Sequence, residues 1–380
     1  MTYKAIKIAH ITILHERYDT RIYLKQCRTL SNDGYNVTLV VGDGKGNEVK
    51  DGVKIVDIGT PPSGRLIRFF RQSYGVFKVV RHLGPNIVHF HDPELMIVSK
   101  IFQFLGINII FDVHENVRKD ILTKPWIHKS FRSGFAFLYS LIERLFSRGM
   151  SLILAEKSYI FSYGSYPVKT KLVVENLPLL EITELPISLK DKHVIPTVVY
   201  FGSVTVGRGA LRLLRVMKNL TSHGLKSNLV IIGPVSEEVH SSREYQNALK
   251  NGWLISHGYI PAEQALAMIA RCHVGIAVLN PEPNFVDSYP TKMFEYMALG
   301  IPVIVSDFKL YKDIIVSENC GYTVDPMDEL DFQSLLENML TNLESSAEQG
   351  LNGRKAIFSK YNWSLQSEHL LDFYKGIMEK

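Results

Sequence analysis

Three polar residues, Thr291, Lys292 and Glu295, stand at the start of an apolar helical segment that ends at Gly300. The first turn of a helix presents unpaired N–H groups and the positive end of the helix dipole, and both favour phosphate. Lys292 adds a full positive charge, and the carboxylate of Glu295 can accept hydrogen bonds from two adjacent sugar hydroxyls. These residues therefore fit the phosphate and ribose of a nucleotide, with ordinary first-turn polar residues as the alternative.

A second phosphate-binding pattern follows an apolar run in the second half of the chain. Gly202 and Ser203 end this run, and Arg208 lies in a glycine-flanked turn before the next helical segment. Glycine lets a backbone approach phosphate closely, and arginine binds phosphate with paired donors. Two more post-strand loops offer main-chain groups to a nucleobase, and they contain Gly233, Tyr259 and Ile260. Because neither a Walker loop nor a dinucleotide fingerprint is present, plain strand-to-helix turns remain the alternative.

Histidine and carboxylate side chains follow the strands of the first half, where a ligand is expected to bind. The candidates are Asp19 and Arg21 after the first strand, His91 and Asp92 after another, and His114 and Glu115 after a third. Their spacing matches no HxxxH or HExxH motif, so the sequence predicts polar contacts with a hydroxyl-rich ligand and no metal site. His114 is the strongest candidate, since a neutral imidazole can donate to a sugar hydroxyl. For Asp19 and Arg21 the alternative is a local Asp–Arg pair.

Short apolar runs that alternate with helical segments must position these residues. Seven such runs lie in the first half of the chain and six in the second, which indicates parallel sheets covered by helices on both faces. The sequence predicts an α/β protein with two doubly wound, Rossmann-like domains at 1–178 and 196–362, joined by a linker at 179–195. A ligand site is expected at the carboxyl ends of the strands, in a cleft between the domains. A glycine-rich stretch at 42–47, bracketed by strands, predicts a hairpin turn.

Charge is distributed unevenly along the chain. Residues 1–185 carry 25 Lys and Arg against 17 Asp and Glu, whereas residues 186–380 carry 18 against 21. The basic half contains two amphipathic aromatic segments, 64–84 and 124–150, which predict either helices that cover a sheet or contact with an anionic membrane. Nucleic acid is not expected, because no motif of a nucleic-acid-binding fold accompanies the charge. Neither a membrane span nor a signal peptide is evident, and three separate cysteines are typical of a reducing compartment.

Six stretches, in order along the chain, resemble the retaining glycosyltransferases of family 4, which have the GT-B fold. These stretches are HERYDTRIYLKQCRTLSNDGYNVTLV, VHFHDPELM, IFDVHEN, YFGSVTVGRGALRLL, PTKMFEYMALGIPVIVSD and KYNWSLQSEHLLDFYKGIM. The resemblance covers most of the chain and implies two Rossmann-like domains that face a central cleft. It also implies that the last helix, at 363–380, crosses back onto the first domain.

The resemblance implies catalytic roles for four residues. Arg208 and Lys292 would neutralise the diphosphate leaving group, and His114 would contact the donor sugar. Asp287 stands eight residues before Glu295, where the family usually has a glutamate, and its side chain is one methylene shorter. It is a candidate to hold the donor sugar, and this departure leaves the identity of the sugar open.

The remaining implied roles concern the nucleotide and the acceptor. Glu295 would hold the ribose, and main-chain groups of Tyr259 and Ile260 would frame the base. Asp92 and Arg21 would be contacts on the acceptor side. The glycine-pair loop that the family has after its first strand is replaced here by HERYDTR, so the acceptor contacts transfer less directly.

Residues and resemblance together predict a peripheral enzyme that moves a sugar from a UDP-sugar to a lipid-linked glycan, with retention of configuration. The expected setting is O-antigen, capsule or exopolysaccharide assembly, in the cytoplasm at the inner face of the cell membrane, without cofactor or metal. A UDP-sugar epimerase of the same fold is one alternative, and it would consume the donor without an acceptor. A non-enzymatic nucleotide-sugar-binding protein is the other, and it would bind without turnover.

Overall fold

The chain folds into two units, each built around its own sheet. The computed structural model describes residues 6–124, 126–180 and 192–379, except the side chains of residues 65, 66 and 262. The first unit contains Met1–Asn176 together with Trp363–Lys380, and the second contains Leu177–Asn362. Most of the predicted linker, 179–195, lies outside the described residues.

The described residues of the first unit form an eight-stranded sheet in the order β3-β4-β2-β1-β5-β6-β7-β8. Neighbouring strands are parallel except β3 with β4. The strands are β1 (Lys7–Ile11), β2 (Asn36–Val41), β3 (Glu48–Lys50), β4 (Val53–Asp57), β5 (Ile87–Phe90), β6 (Asn108–Val113), β7 (Ser151–Leu154) and β8 (Thr170–Val173). Strands β5 and β7 are buried at every position, because helices cover both faces of the sheet.

Helices connect the strands of the first unit and begin or end at recognisable caps. Asp19 caps the first helix, which contains a wide π-type turn where the Leu24 N–H donates to Asp19 O at 3.1 Å. The last helix packs on this one, and Trp363 Nε1 donates to Thr29 Oγ1 at 2.9 Å. The helices are Thr20–Cys27, Arg28–Asn32, Arg65–Leu83, Pro93–Leu95, Met96–Phe104, Val117–Thr123, Lys129–Phe146, Tyr159–Tyr163 and Trp363–Met378.

The described residues of the second unit form a six-stranded, all-parallel sheet in the order β11-β10-β9-β12-β13-β14. The strands are β9 (Thr197–Phe201), β10 (Asn228–Ile232), β11 (Leu254–Ser256), β12 (Val274–Ala277), β13 (Val303–Ser306) and β14 (Gly321–Val324). The helices are Ala210–Ser222, Glu237–His240, Arg243–Lys250, Ala262–Ile269, Pro283–Val286, Thr291–Ala298, Lys309–Glu318, Glu329–Thr341 and Leu343–Ser359. Across the described parts of both units, no helix has the length and hydropathy of a membrane-crossing segment.

The predicted fold class, two Rossmann-like α/β units, is confirmed. All thirteen predicted strands are present, and their ends differ from the prediction by no more than two residues. The sequence did not predict β3, because this short edge strand is half-buried or exposed at every position and lacks an apolar run.

The prediction of a hairpin turn at 42–47 is wrong. Strand β3 pairs antiparallel with β4, and Asp51-Gly52 forms the two-residue turn between them, with φ of 49° and 74°. An Asp-Gly pair favours this turn because both residues tolerate positive φ. Segment 42–47 instead wraps around Asp57, whose carboxylate accepts hydrogen bonds from the Gly44 and Gly46 N–H groups at 3.1 and 2.8 Å.

Substitution Gly275→Ala is expected to destabilise the second unit. A Cβ at Gly275 would lie 2.4 Å from the ring of Tyr296, which is fully buried. Overpacking of this kind costs about 1–3 kcal/mol, which urea unfolding monitored by fluorescence measures. Gly376→Ala is the control, since a Cβ there meets no atom within 4 Å. Equal destabilisation by both substitutions would contradict the packing argument.

Candidate functional site

A buried lysine lies at the carboxyl edge of the second sheet. Lys292 is the second residue of the helix Thr291–Ala298 and is 6% exposed. Its ammonium lies 3.7 Å from the centre of the Tyr200 ring, and within the described residues it has no hydrogen-bond acceptor. A cation–π contact replaces only part of the hydration that burial removes. An ammonium in this position therefore favours an anionic ligand.

Positive charge accumulates around this lysine. Burial, and then the guanidinium of Arg208, lower the pKa of Lys292 well below its ordinary value, while Glu295 opposes them. The first N–H groups of the helix Thr291–Ala298 add partial positive charge at the same end. Phosphate is the anion that such a helix start binds most readily.

Three glycines place the backbone of adjacent loops beside this lysine. Gly202, Gly233 and Gly258 follow β9, β10 and β11, and their φ angles are 95°, 137° and 63°. The Gly202 N–H donates to Ile232 O at 2.8 Å, and the Gly233 N–H donates to Gly258 O at 2.7 Å. A Cβ on Gly233 would lie 2.2 Å from Gly202 O, and one on Gly202 would lie 3.9 Å from Lys292 Cε. Position 233 therefore needs glycine because the two loops pack backbone against backbone there, whereas the space beside the Gly202 backbone is bounded within 4 Å only by Lys292 Cε.

The other donor-side candidates differ in their contacts and in their exposure to solvent. The main-chain oxygen of Arg208 accepts a hydrogen bond from the Tyr200 hydroxyl at 3.0 Å, and its guanidinium lies 5.7 Å from the centre of the Phe285 ring. Ile260 packs against the core, whereas Tyr259 is 80% exposed. Of the remaining candidates, Ser203, Asp287 and Glu295 are half-buried and Thr291 is exposed.

Two tyrosines that sequence reasoning missed support the loop after β9. The Tyr296 hydroxyl accepts a hydrogen bond from the Phe201 N–H at 2.8 Å, and the Tyr200 ring lies against the ammonium of Lys292. Burial raises the pKa of both phenols, so both remain neutral. Neither residue type nor spacing distinguishes these tyrosines from ordinary core residues, so the sequence offered no signal.

The first unit buries an ionised carboxylate, Asp112, at the carboxyl edge of its sheet. Asp112 accepts hydrogen bonds from Arg21 Nε and Nη2 at 3.1 and 2.8 Å, and from Gln26 Nε2 at 2.6 Å. Burial, the largest single cause, favours the neutral acid, but Arg21, His114 and His91 together outweigh it, and the pKa of Asp112 lies well below its ordinary value. Arg21 and Asp112 therefore form a buried ion pair.

Four histidines gather around this carboxylate, and a tyrosine of the last helix joins them. His10 Nδ1 lies 3.0 Å from His91 Nε2, and His91 Nδ1 lies 3.0 Å from His114 Nε2. The Tyr374 hydroxyl lies 2.6 Å from His89 Nδ1 and 3.3 Å from His10 Nε2. Burial is the main cause that lowers the pKa of His10, His89 and His91 well below the ordinary value. These three imidazoles are therefore neutral at neutral pH.

Two triads of these residues have donor atoms that suit a metal ion. They are His10, His89 and His91, and His91, Asp112 and His114, with ligand atoms within 4.8 Å of one another in each triad. The guanidinium of Arg21 already lies on Asp112, and its positive charge opposes a divalent cation there. The donor set therefore suits hydrogen bonding among neutral imidazoles better than a cation.

Two predicted acceptor contacts, Arg21 and His91, lie inside the first unit. Arg21 is 4% exposed, and besides Asp112 it binds Val174 O through Nη1 at 2.8 Å. His91 is 2% exposed, and both of its ring nitrogens contact other histidines. Their polar atoms are therefore bound within the unit, and their predicted role as acceptor-side contacts stays a prediction.

The two aspartates among the acceptor-side candidates stabilise the local backbone. Asp19 caps the helix Thr20–Cys27 and accepts a hydrogen bond from the Ile22 N–H at 2.8 Å. Asp92 is 1% exposed, and its Oδ2 accepts from Thr12 Oγ1 at 2.9 Å. Asp92 thus holds the loop after β1 through Oδ2, and its role as an acceptor contact stays a prediction.

His114 and Glu115 reach the surface of the first unit. The side chain of His114 is 15% exposed, and its Nε2 lies 3.2 Å from Asp112 Oδ2. Glu115 is exposed. A ligand can therefore meet the carboxylate of Glu115 and the outer part of the His114 ring.

Sequence reasoning missed the residues that connect these candidates: His10, Gln26, Asp112 and Tyr374. One signal was present, because Asp112 interrupts the buried apolar strand β6, and a charge inside such a strand needs an opposite charge nearby. Tyr374 offered no signal, since an aromatic residue in an amphipathic helix usually belongs to the core.

Two family models match the chain. The model described as Glycosyltransferase Family 4 matches residues 20–160, and the model described as Glycosyl transferases group 1 matches residues 186–356. The first match lies in the first unit, and the second match covers most of the second unit.

Named proteins resemble the chain in sequence and in fold. The capsular polysaccharide biosynthesis glycosyltransferase CapM of Staphylococcus aureus is 24% identical over 50% of this chain and 48% of its own, so the chain spans about half the length of this relative. Sucrose-phosphate synthase from Thermosynechococcus elongatus has a TM-score of 0.74 at 16% identity, over 98% of this chain and 99% of its own. HepE from Anabaena, solved in complex with UDP, has a TM-score of 0.70 at 11% identity, over 98% and 100%. The two structures show a shared fold.

The unfolding free energy is expected to decrease as the pH falls below about 6.5. The folded-state pKa of His10, His89 and His91 lies well below the unfolded value, so the unfolded chain binds protons that the folded chain does not. Each such histidine contributes a slope of up to about 1.4 kcal/mol per pH unit, and stability rises with pH through this window. Urea unfolding at a series of pH values measures the slope.

The substitution His89→Asn is the matched variant for this measurement. Its amide stands near the position of Nδ1 and can still bond the Tyr374 hydroxyl, but it does not titrate. The slope is expected to be smaller by about one proton. An unchanged slope would exclude His89 as one of its sources.

Proposed function

We propose that the chain belongs to the family 4 glycosyltransferases, whose models match residues 20–160 and 186–356, and that it transfers a sugar from a UDP-sugar to a lipid-linked glycan with retention of configuration. The bond between the sugar C1 and the diphosphate breaks, and the diphosphate leaves with the electron pair. The acceptor hydroxyl forms its bond to C1 on the same face, and its proton passes to the departing diphosphate. CapM is named for capsular polysaccharide biosynthesis, which supports a role in surface polysaccharide assembly such as capsule, O-antigen or exopolysaccharide.

The buried ammonium of Lys292 is the observation that carries this proposal. It has no acceptor among the described residues, and the neighbouring Gly202 has no side chain to fill the space beside Lys292 Cε. A diphosphate supplies the missing acceptors, and its negative charge increases as the bond to C1 breaks. A cation fixed in place before the reaction stabilises this departing charge more than it stabilises the bound substrate.

The other donor-side residues receive the roles that their positions allow. We propose that Arg208 binds the same diphosphate, and that Glu295 holds the ribose. Tyr259 and Ile260 frame the base through main-chain groups. HepE was solved in complex with UDP, and this supports UDP as the nucleotide. Asp287 is proposed to contact the donor sugar.

We propose that the transfer needs no divalent metal. Lys292 and Arg208 supply positive charge for the leaving group, and in the first unit Arg21 already neutralises Asp112. Transfer is therefore expected to continue in the presence of EDTA. Activity that disappears with EDTA and returns with Mg²⁺ would contradict this part of the proposal.

One helix of the first unit has its polar side inward and its apolar side outward. In Lys129–Phe146, the carboxyl group of Glu143 is buried and accepts a hydrogen bond from the Tyr166 hydroxyl at 2.8 Å. The outward residues are 44% to 68% exposed, and they are Phe131, Phe135, Phe137, Leu138, Leu141, Ile142 and Leu145. A helix that covers a sheet would bury these side chains, so this alternative does not describe the helix.

The surroundings of this helix support an anionic membrane as its partner. Trp126 is 68% exposed just before the helix, and the cations of Arg118 and Lys129 are exposed nearby in the chain. Exposed aromatic residues beside basic ones are typical of interfacial helices. We propose that the protein binds the inner face of the cell membrane, where a lipid-linked acceptor is located.

The substitution Lys292→Met is expected to have opposite effects on stability and on nucleotide binding. Methionine keeps the volume but removes an unpaired buried cation, so the melting temperature without ligand should rise. UDP raises the melting temperature of the unmodified protein by mass action, and this shift should be lost in the variant, as in Lys292→Ala. Differential scanning fluorimetry with and without UDP measures both effects.

Lys312→Met is the matched control, because Lys312 is exposed on a different helix of the same unit. Its UDP shift should equal that of the unmodified protein. A full UDP shift in Lys292→Met would show that the phosphate binds elsewhere. For the reaction itself, sugar consumed only when an acceptor is present supports transfer, whereas a new nucleotide sugar formed without acceptor would support an epimerase.

Membrane binding is tested with the double substitution Phe135→Gln, Leu141→Gln. Both side chains are more than half exposed, and each contributes about 2 kcal/mol when it enters an apolar phase. Flotation with anionic liposomes at low salt should therefore fall by more than tenfold. The control is Leu330→Gln in the second unit, where a leucine that is more exposed than Leu141 is replaced and flotation should not change. If the unmodified protein fails to float, the membrane proposal is wrong.

A further inference from the structure

Five groups of the first unit form a continuous series of polar contacts, here named the histidine chain: His114, His91, His10, Tyr374 and His89. Successive contacts measure 3.0, 3.0, 3.3 and 2.6 Å. All members except His114 are at most 2% exposed. Both ends approach one acceptor, since His114 Nε2 lies 3.2 Å and His89 Nε2 lies 3.7 Å from Asp112 Oδ2.

The number of protons gives the histidine chain a single direction. A neutral imidazole has one N–H and one bare nitrogen, so it donates on one side and accepts on the other. In His10 and His91 both ring nitrogens are used by contacts within the chain, and the Tyr374 hydroxyl has one proton to donate. Reversal of one contact therefore reverses all of them.

Asp112 selects the direction. An ionised carboxylate only accepts hydrogen bonds. Three ring nitrogens face its Oδ2: Nε2 of His114 at 3.2 Å, Nδ1 of His91 at 3.5 Å and Nε2 of His89 at 3.7 Å. One direction puts protons on both Nε2 atoms, including the nearest nitrogen, and leaves one lone pair, on His91 Nδ1, facing the charge. The opposite direction leaves two lone pairs facing a buried negative charge, which low dielectric surroundings make more costly.

The selected direction satisfies every member of the chain. His114 Nε2 donates inward, towards Asp112 and His91 Nδ1. His91 Nε2 donates to His10 Nδ1, and His10 Nε2 donates to the oxygen of Tyr374. The Tyr374 hydroxyl donates to His89 Nδ1, which leaves the remaining proton on His89 Nε2. This nitrogen, which otherwise lacks a partner among the described residues, then points its proton at Asp112.

We propose that Asp112 and the histidine chain hold His114 as the tautomer protonated on Nε2, so that its bare Nδ1 accepts a hydrogen bond from a hydroxyl of the donor sugar. This polarity is opposite to the donor role that the sequence predicted for His114. The identity of the ligand rests on the proposed function, but the tautomer does not. The sugar must then present a free hydroxyl to His114, and Tyr374 is a positioning residue.

Imidazole NMR tests the tautomer without any substrate. In the full chain labelled with ¹⁵N-histidine, long-range ¹H–¹⁵N correlations at neutral pH should show His114 protonated on Nε2 only. The His114→Gln spectrum assigns the signal. A His114 protonated on Nδ1, or averaged between both tautomers, would overturn the proposal. The NMR result does not depend on sugar transfer. A wrong tautomer assignment can therefore be distinguished from a wrong proposed function.

Two substitutions at His114 test which nitrogen meets the sugar. Asparagine places an amide oxygen near the position of Nδ1, whereas glutamine places its amide near Nε2. Retention of the sugar contact predicts that kcat/KM of His114→Asn exceeds that of His114→Gln by about tenfold, the effect of one hydrogen bond. The reverse order would contradict the assignment. Both variants should keep the melting shift given by UDP, which has no sugar, and this confirms that they fold.

Tyr374→Phe tests the far end of the histidine chain. Loss of the hydroxyl removes the acceptor of His10 and the donor to His89, so His10 should change from one tautomer to a mixture in the same NMR experiment. Tyr35→Phe is the control, because the ring of Tyr35 lies 6.1 Å from that of Tyr374 in the same unit. A single unchanged tautomer of His10 in Tyr374→Phe would show that the contacts do not act as one chain.

Discussion

The buried negative charge of Asp112 determines how the carboxyl edge of the first sheet is built. A carboxylate at this depth is stable only if an opposite charge and several donors surround it. Arg21 and Gln26 supply donors from a single helix, although they are five residues apart. An ordinary α-helix turns such residues to different sides, and the wide π-type turn of Thr20–Cys27 brings both to one carboxylate. The π-type turn of this helix therefore allows two of its side chains to bind the carboxylate of Asp112.

The second unit treats its buried charge in the opposite way. Lys292 is as deeply placed as Arg21, but no carboxylate of the described residues pairs with it, and the nearest group is the face of an aromatic ring. An unpaired buried cation lowers the stability of the free protein, and an anion that binds it recovers this free energy. The first unit thus completes its electrostatics internally and gains a rigid arrangement. The second leaves its electrostatics incomplete, and this is the basis of the proposed phosphate site.

The sequence predicts the environment of a site residue when the partners of that residue are close to it in the chain. It does not predict this environment when the partners are distant in the chain. The glycine loop at Gly202 and the helix start at Lys292 are local patterns, and the structure has both where the spacing placed them. The partners of Arg21 are not local, since Asp112 follows it by 91 residues, and the sequence reading therefore assigned Arg21 to a ligand. The partners of His91 and Asp92 are also distant, since His10 and Thr12 precede them by 81 and 80 residues. A charged residue after a strand can face a ligand or another strand, and only the register of the sheet decides.

For the helix Lys129–Phe146, the sequence likewise does not predict which side of the helix faces the interior. Its sequence has apolar residues at helical spacing, and such a stripe fits a covered sheet and a membrane surface equally well. The polar residues decide between the two, because Glu143 is enclosed by the hydroxyls of Tyr139, Tyr163 and Tyr166 on the inner side. Burial raises the pKa of Glu143, so the interior favours the protonated form of this carboxyl group more than water does. Once one side of the helix is anchored through its polar groups, the apolar side has no sheet left to cover and faces outward. The polar residues on one side of an amphipathic helix therefore determine whether its apolar side faces the protein interior or the surface.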